Sequence, residues 1–187
     1  MLLTLAGIKC YIVDRVIDRN FTKGVNSMAE TNKTVVFQAG NEEYAFPILY
    51  VISIEKLEGM TAIPHMPDYV TGITKVRGDL IPVIDLEKVL YGRDILADEK
   101  TRLIVLQTAD ISIGTLVRDA KEILEIPAEN LKQPGLIAYQ KTKFITGIAN
   151  FDKRMIMVID PETLIETLEG IKEIKEYMQK EKHGLHI

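Results

Sequence analysis

The sequence predicts a mainly β protein made of small barrels, followed by a helical tail. Two observations support this fold class: short apolar segments interrupted by turns roughly every 6–12 positions, and an internal repeat. Such spacing favours small barrels over a parallel α/β sheet. The chain has 187 residues, 47% of them hydrophobic, which is enough to bury a core in one domain or two small lobes.

The predicted strands fall into two sets, separated by the polar connector 91–100. The first set comprises 34–40 and 42–57 around a turn at Asn41, and the second comprises 102–108, 111–117 and 121–126, with a turn near Asp110. Each set is completed by one copy of the repeat. The sequence thus divides into lobes at roughly 34–95 and 101–165, and leaves open whether strands are exchanged between them.

The internal repeat is "YVTGITKVRGDLIPVIDLEKVL" (69–90) over "FITGIANFDKRMIMVIDPETLI" (144–165), aligned without a gap. Roughly one or two identities are expected by chance in such a window. The positions that recur are Thr71, Gly72, Ile73, Ile81, Val83, Ile84, Asp85 and Glu87. The chain therefore contains two copies of one strand–turn–strand–helix unit.

Each copy of the unit can be interpreted physically. Gly72 and Gly147 each open a strand where a side chain would crowd a neighbouring backbone. Asp85 and Asp160 are placed to cap a short helix after the second strand, and the glutamate two positions later favours its first turn.

The two ends of the chain are predicted to differ from the lobes. Residues 1–27 are interpreted as a translated leader or disordered extension, with the working protein starting at Met28. The segment 166–187 is the C-terminal helix and tail. Apolar residues at helical spacing predict one amphipathic helix, packed on a lobe in preference to binding a partner: Leu164, Ile165, Leu168, Ile171, Ile174 and Met178.

Composition and motifs argue against several functional classes. The net charge is −4, whereas proteins that bind nucleic acids or anionic membranes usually carry an excess of basic residues. The lone cysteine, Cys10, allows neither an internal disulfide nor a cysteine-based metal site. No apolar run reaches the roughly 20 residues of a membrane helix. We find no phosphate loop, zinc-protease motif or nucleophile elbow. We therefore predict a cytoplasmic protein that is not an enzyme, with no cofactor, metal or catalytic residue.

The tip of the first repeat hairpin carries Arg77 and Gly78, where the second copy has Asp152 and Lys153. The sequence allows two interpretations. Arg77 is a surface cation beside a turn glycine, or Gly78 lets a backbone approach while Arg77 organises nearby carbonyls or carboxylates. In the second case Ile73 and Leu80 would line a groove for another protein.

The motifs of the chain resemble those of the CheW family of chemotaxis coupling proteins. "KVRGDLIPVIDL" matches the family's "NLRG.V.PV.DL". In the same order, "EEYAFPILYV" resembles "YAIPI..V", "IPHMPDYVTGI" resembles "P..P.YV.GV", "TRLIVL" resembles "TR.IVV", and "KFITGIA" resembles "YI.GVA". The resemblance extends over about 34–165, so 28–165 is interpreted as a CheW-like domain.

The resemblance implies a non-catalytic adaptor with two SH3-like, five-stranded barrel lobes. It would link the cytoplasmic tip of a chemoreceptor to the regulatory domain of the histidine kinase CheA, at membrane-associated receptor arrays and without entering the membrane. The family's receptor groove implies contacts at Val51, Ile73, Arg77, Gly78 and Leu80. The family's kinase-binding loop implies Lys132 and Leu136.

The chain departs from the family pattern at four positions. Lys75 and Val76 replace the usual Asn and Leu of the motif, Ser53 replaces an acidic residue, and Arg118 replaces an Asp. These changes are expected to alter charge near the receptor and kinase faces.

An alternative function from another class is a small barrel that binds a small molecule or a nucleic acid, because small barrels host such ligands. The acidic charge and the absence of tryptophan disfavour a stacking platform for bases.

Overall fold

The computed structural model describes residues 32–134 and 142–184, with side chains up to Glu181. The predicted leader 1–27 with its start at Met28, and the predicted contact Leu136, lie outside the described residues. Within them the chain forms these elements: β1 Lys33–Ala39, β2 Glu42–Pro47, β3 Val51–Lys56, β4 Val70–Val76, β5 Asp79–Asp85, α1 Leu86–Tyr91, β6 Arg102–Gln107, β7 Ser112–Val117, β8 Asp119–Glu125, β9 Leu131–Lys132, β10 Ile145–Phe151, β11 Arg154–Ile159, α2 Pro161–Glu166 and α3 Ile171–Gly184.

The strands form two sheets, which confirms the mainly β prediction. The first sheet has the order β8-β1-β2-β11-β10-β9 and the second the order β3-β6-β7-β5-β4. Neighbouring strands are antiparallel except at β2/β11 and β5/β7, which are parallel. The predicted long strand 42–57 is interrupted after Pro47 by a short 3-10 turn, Ile48–Tyr50.

The sheets do not follow the contiguous division at 34–95 and 101–165. The hairpin β1–β2 joins β8–β11, whereas β6–β7 joins β3–β5. The strand exchange that the sequence left open is therefore what the hydrogen bonding shows. Each lobe is completed by a hairpin from the other half of the chain.

Among the described residues, side-chain alternation along the strands creates three apolar clusters. Val36 and Ile156 belong to a cluster on one face of the first sheet, and Val83 and Val105 to one on a face of the second. The opposite faces share a larger set, here called the central cluster. It includes Val35, Phe37, Phe46, Ile84, Leu86, Ile104, Leu106, Ile113, Ile159, Leu164, Ile174 and Met178. The two lobes are thus held together by a common core.

The repeat is preserved in the strand register. In the first hairpin, β4–β5, the register shifts between Val70 and Gly72, and in the second hairpin, β10–β11, it shifts at the equivalent Gly147. A Cβ on Gly72 would lie 2.3 Å from the backbone oxygen of Thr61. The crowding of a neighbouring backbone that the sequence predicted for both copies is confirmed at Gly72. It is wrong for Gly147, where a Cβ would meet the Leu131 side chain and no backbone atom of the described residues is among its nearest neighbours.

Both predicted helix caps form. The Asp85 carboxylate accepts from the amide of Lys88 at 3.1 Å, and that of Asp160 accepts from the amide of Thr163 at 2.9 Å. The buried Asp85 also accepts from the amide of Ile95 at 2.7 Å, which ties down the connector after α1. Burial raises the pKa of Asp85 although these hydrogen bonds favour its ionised form.

We expect Asp85→Ala to cost more stability than Asp160→Ala. Each change removes one cap, worth about 1 kcal/mol, but Asp85→Ala also leaves the Ile95 amide without its partner, giving about 2 kcal/mol in total. Urea denaturation of both variants measures the difference. Equal losses would show that the Ile95 hydrogen bond contributes nothing.

The C-terminal segment forms two helices, so the prediction of one continuous helix is wrong. The helix α2 ends at its C-cap Thr167, and Gly170, whose φ of 79° is one that glycine accepts readily, turns the chain just before α3 begins at Ile171. The predicted core packing is confirmed, because Ile174 and Met178 of α3 are buried in the central cluster.

Candidate functional site

The candidate site begins at the tip of the first hairpin. Val76 pairs with Asp79, so Arg77 and Gly78 form a two-residue loop with φ values of 52° and 96°. Two positive φ values define a type I′ turn, which matches the twist of a hairpin. The second hairpin also closes with two residues, Asp152 and Lys153, but without positive φ.

Arg77 occupies a backbone conformation that side chains disfavour. For a residue other than Gly, Asn or Asp the left-handed region costs roughly 1–2 kcal/mol. The Arg77 side chain is exposed and, within the described part of the chain, forms no hydrogen bond or ion pair. A Cβ on Gly78 would meet no atom of the described residues within 4 Å. Its positive φ, and not the approach of a backbone from those residues, therefore requires glycine there.

One face of the first hairpin packs towards the central cluster. The register places Ile73 opposite Pro82 and Lys75 opposite Leu80, so these four residues share that face, here called the central face. Ile73 and Leu80 are half-buried against the central cluster. Val51 is 2% exposed and belongs to the cluster itself, so in this conformation it presents no surface to a partner.

Two of the departures from the family pattern, Ser53 and Arg118, do not change the charge of a partner-binding surface as expected. Ser53 is buried opposite Val105, and its hydroxyl has no hydrogen-bond partner in the described chain. It therefore does not alter the charge of a surface. Arg118 donates two hydrogen bonds to the Glu87 carboxylate, at 3.0 and 3.2 Å, so its charge is paired inside the protein.

Glu87 is the polar centre that sequence reasoning missed. Its side chain is 1% exposed and, besides Arg118, accepts from the amide of Gly40 at 2.8 Å. Burial alone would raise the pKa of Glu87, but the hydrogen bonds from Arg118 and Gly40 outweigh it and hold the pKa below its usual value. The available signal was the recurrence of this residue as Glu162, which accepts from the amide of Ala109 at 2.9 Å.

The predicted kinase contacts are placed only in part. Lys132 is exposed on the two-residue strand β9, opposite Ile148 of β10. Its neighbour Leu131 is 44% exposed and covers Gly147. The other predicted contact, Leu136, lies outside the described residues.

An open cleft of about 850 Å³, which the sequence did not indicate, lies where the two repeat units meet. Its lining includes Tyr69 and Phe144, which are equivalent positions of the repeat, and the charged residues Lys88 and Glu169. The Tyr69 hydroxyl donates to the backbone oxygen of Glu169 at 2.5 Å. Burial, followed by the nearby charge of Glu169, raises the pKa of Tyr69 to about 12. The cleft does not include Arg77 or the central face.

Two further observations concern residues 32–134 and 142–184. No group of three or more His, Cys, Asp or Glu side chains in them is arranged to hold a metal ion. None of their helices combines the length and apolar character needed to cross a lipid bilayer.

The two-sheet architecture with exchanged hairpins defines a class, that of two-lobed β domains with SH3-like barrels. The CheW-like domain family matches residues 33–169. The chain belongs to this family. Membership of this family confirms the predicted function, that of an adaptor coupling chemoreceptors to the histidine kinase CheA in chemotaxis signalling.

Individual relatives show the same similarity. The chemotaxis protein CheW of Klebsiella aerogenes is 32% identical over 136 residues, which is 72% of this chain and 82% of the relative. The CheW of Bacillus subtilis is 28% identical over 135 residues, or 72% and 86% of the two chains. The crystal structure of the scaffolding protein TtCheW from Thermoanaerobacter tengcongensis matches with a TM-score of 0.65 and 28% identity, covering 77% of this chain and 94% of that one.

Proposed function

We propose that the first hairpin is the receptor-binding element of a non-catalytic, cytoplasmic adaptor located at receptor arrays. The observation that supports this proposal is the exposed guanidinium of Arg77, which has no partner within residues 32–134 and 142–184. It belongs to a residue with left-handed backbone, inside the segment that matches the family. Strained backbone at an exposed position is typical of functional sites. Gly78 permits the turn that holds Arg77 outward.

The chemistry of the hairpin fits a helical partner. A planar guanidinium recognises carboxylates or the free carbonyls at a helix C-terminus, whereas Ile73 and Leu80 on the central face provide apolar contact. Val51, buried beneath, would support these side chains. Such a small interface is reversible, and its strength at an array comes from multivalency.

The proposed kinase contact lies in the other lobe, at Lys132 and Leu136. Lys132 is exposed on β9, and the neighbouring Leu131 presents apolar surface. Separate surfaces on separate lobes allow the adaptor to hold receptor and kinase together. No cofactor is required by this arrangement.

Charge reversal at the hairpin tip tests the receptor contact. We expect Arg77→Glu to weaken binding of a purified receptor cytoplasmic tip at least about 10-fold, because each lost charge-assisted contact is worth about 1.5–3 kcal/mol. Binding of the CheA regulatory domain should stay unchanged. Calorimetric titration of both partners against the folded variant measures the two affinities.

The repeat supplies the matched control, because Lys153→Glu reverses a charge at the equivalent tip of the second hairpin. This variant should bind the receptor tip with unchanged affinity. Lys132→Glu should weaken binding of the CheA regulatory domain and leave the affinity for the receptor tip unchanged. Undiminished receptor binding by Arg77→Glu would contradict the proposed site. A nucleic acid or metabolite that purifies with the wild type in place of these partners would favour the alternative function.

A further inference from the structure

The helix α3 lies beyond the segment that matches the family, which ends at residue 169. It nevertheless packs against β5, a strand of the first hairpin. Its buried residues Ile174 and Met178 enter the central cluster, against which Ile73 and Leu80 also pack. The helix therefore lies on the side of β5 that carries the central face. The opposite side of β5 carries Val83, which belongs to the other cluster of this sheet.

Two contacts fix the direction of α3 across this face. Just before the helix, the backbone of Glu169 accepts from the hydroxyl of Tyr69, and the carbonyl of Tyr69 accepts from the amide of Asp85 at the end of β5. Further along, Lys175 contacts Asp110 at 2.8 Å.

Asp110 marks the opposite end of β5. It lies two residues before β7, which runs parallel to β5 with Val83 opposite Gly114. Continued by four residues, this register places Asp110 level with Asp79, the first residue of β5. The helix α3 thus runs antiparallel to β5, from its end towards the hairpin tip that carries Arg77.

We propose that α3 is an internal occupant of the receptor-binding face, which a receptor helix must displace in order to bind. This inference rests on the proposed function of the first hairpin. Within the described chain the exposed large apolar side chains are Leu49, Tyr91, Leu96, Leu131 and Met155, and neither Ile73 nor Leu80 is among them. Because the central face already accommodates one amphipathic helix, α3, its shape and apolar character also suit an amphipathic helix of the receptor.

The helix α3 is attached in a way that would let it leave the central face. Its preceding residue, Gly170, has a φ of 79°, so the connection to α2 is a bend between two helices. The Lys175–Asp110 pair joins side chains that are 25% and 69% exposed, and exposed pairs contribute little to stability. Most of the outer face is charged, with Lys172, Glu173, Glu176 and Lys180 exposed. Occupancy of the face by α3 would lower the apparent receptor affinity in proportion to the population of the covered state.

Loosening α3 in the full chain tests the inference. We expect Lys175→Glu, which places a carboxylate beside Asp110, to increase affinity for the receptor tip about 2–3-fold. The control Lys172→Glu makes the same charge change on α3 at an exposed residue with no hydrogen bond or ion pair in the described chain, and should leave affinity unchanged. Affinity for the CheA regulatory domain should be the same in both variants. Equal receptor affinity in the two variants would overturn the inference.

A second measurement does not depend on any variant. Hydrogen exchange of the wild type should show that the amides of 171–181 lose protection when saturating receptor tip is added. If the receptor binds while these amides stay protected, α3 remains in place and the inference fails, although the proposed function stands. If the wild type binds no receptor at all, the proposed function itself fails.

Discussion

Gly72→Ala is expected to destabilise the protein by about 3 kcal/mol or more, at the upper end of the cost of overpacking. The added Cβ would lie 2.3 Å from the backbone oxygen of Thr61 and 2.9 Å from its carbonyl carbon. The Thr61 backbone cannot relieve this contact by rotating about a side-chain bond, as a side chain could. Thr61 is also held to Ile73 by two backbone hydrogen bonds, of 2.8 and 2.9 Å, which the displacement would break.

The equivalent change in the second copy, Gly147→Ala, provides the control. There the Cβ would meet the Leu131 side chain at 2.6 Å, and this side chain is 44% exposed and free to adopt another rotamer. We expect a loss of only about 1 kcal/mol. Urea denaturation of both variants measures the difference, and similar losses would contradict the role of the Thr61 backbone.

Glu87→Ala is expected to cost about 2–3 kcal/mol at neutral pH. It leaves the Gly40 amide and the Arg118 guanidinium without their shared acceptor. The figure is below the roughly 3–5 kcal/mol of a wholly buried pair, because the Arg118 side chain is 30% exposed and water can solvate it. Thermal and urea denaturation measure the loss.

The same pair predicts a pH dependence. The folded-state pKa of Glu87 lies below its unfolded value, so the folded state favours the ionised form. The resulting stability is present above the unfolded pKa of about 4.3 and is lost as the pH falls through the folded pKa. The stability difference between wild type and Glu87→Ala should therefore be largest near neutral pH and should narrow below about pH 4.

Glu162→Ala is the matched control from the second repeat. Its carboxylate makes the equivalent contact to a hairpin turn, the Ala109 amide, but in an exposed setting. We expect a small loss with little pH dependence. An equal loss in the two variants would show that burial and the Arg118 pair add nothing at Glu87.

The fold was predictable where it depends on local patterns. The alternation of apolar residues, the turn at Gly40–Asn41 and the two aspartate caps are encoded within a few positions of one another. The exchange of hairpins was not predictable, because the two repeat copies offer β2 nearly equivalent partners. Pairing with β11 or with β5 satisfies the same backbone groups and the same apolar pattern, so only the full packing decides between them.

The candidate site was predictable in its exposed part alone. The contrast between Arg77 and its repeat counterpart Asp152 identified the tip that carries a positive φ. Burial of Val51 and Ser53 depends on distant strands, and the Glu87–Arg118 pair joins α1 to the turn after β7. The break before α3 was missed because the apolar spacing continues through residues 167–170, although α2 ends at its C-cap Thr167 and the chain turns at Gly170.

The swapped hairpins have an evolutionary consequence. Two identical chains that exchanged β1–β2 and β6–β7 in this manner would form a symmetric domain-swapped dimer, with every surface present twice. Joining both units in one polypeptide removes that constraint, since each copy can then change alone. A tandem fusion can carry different residues at its two hairpin tips, here Arg77 and Asp152, whereas a homodimer must carry the same residue at both. This difference allows one small scaffold to present different surfaces to different partners.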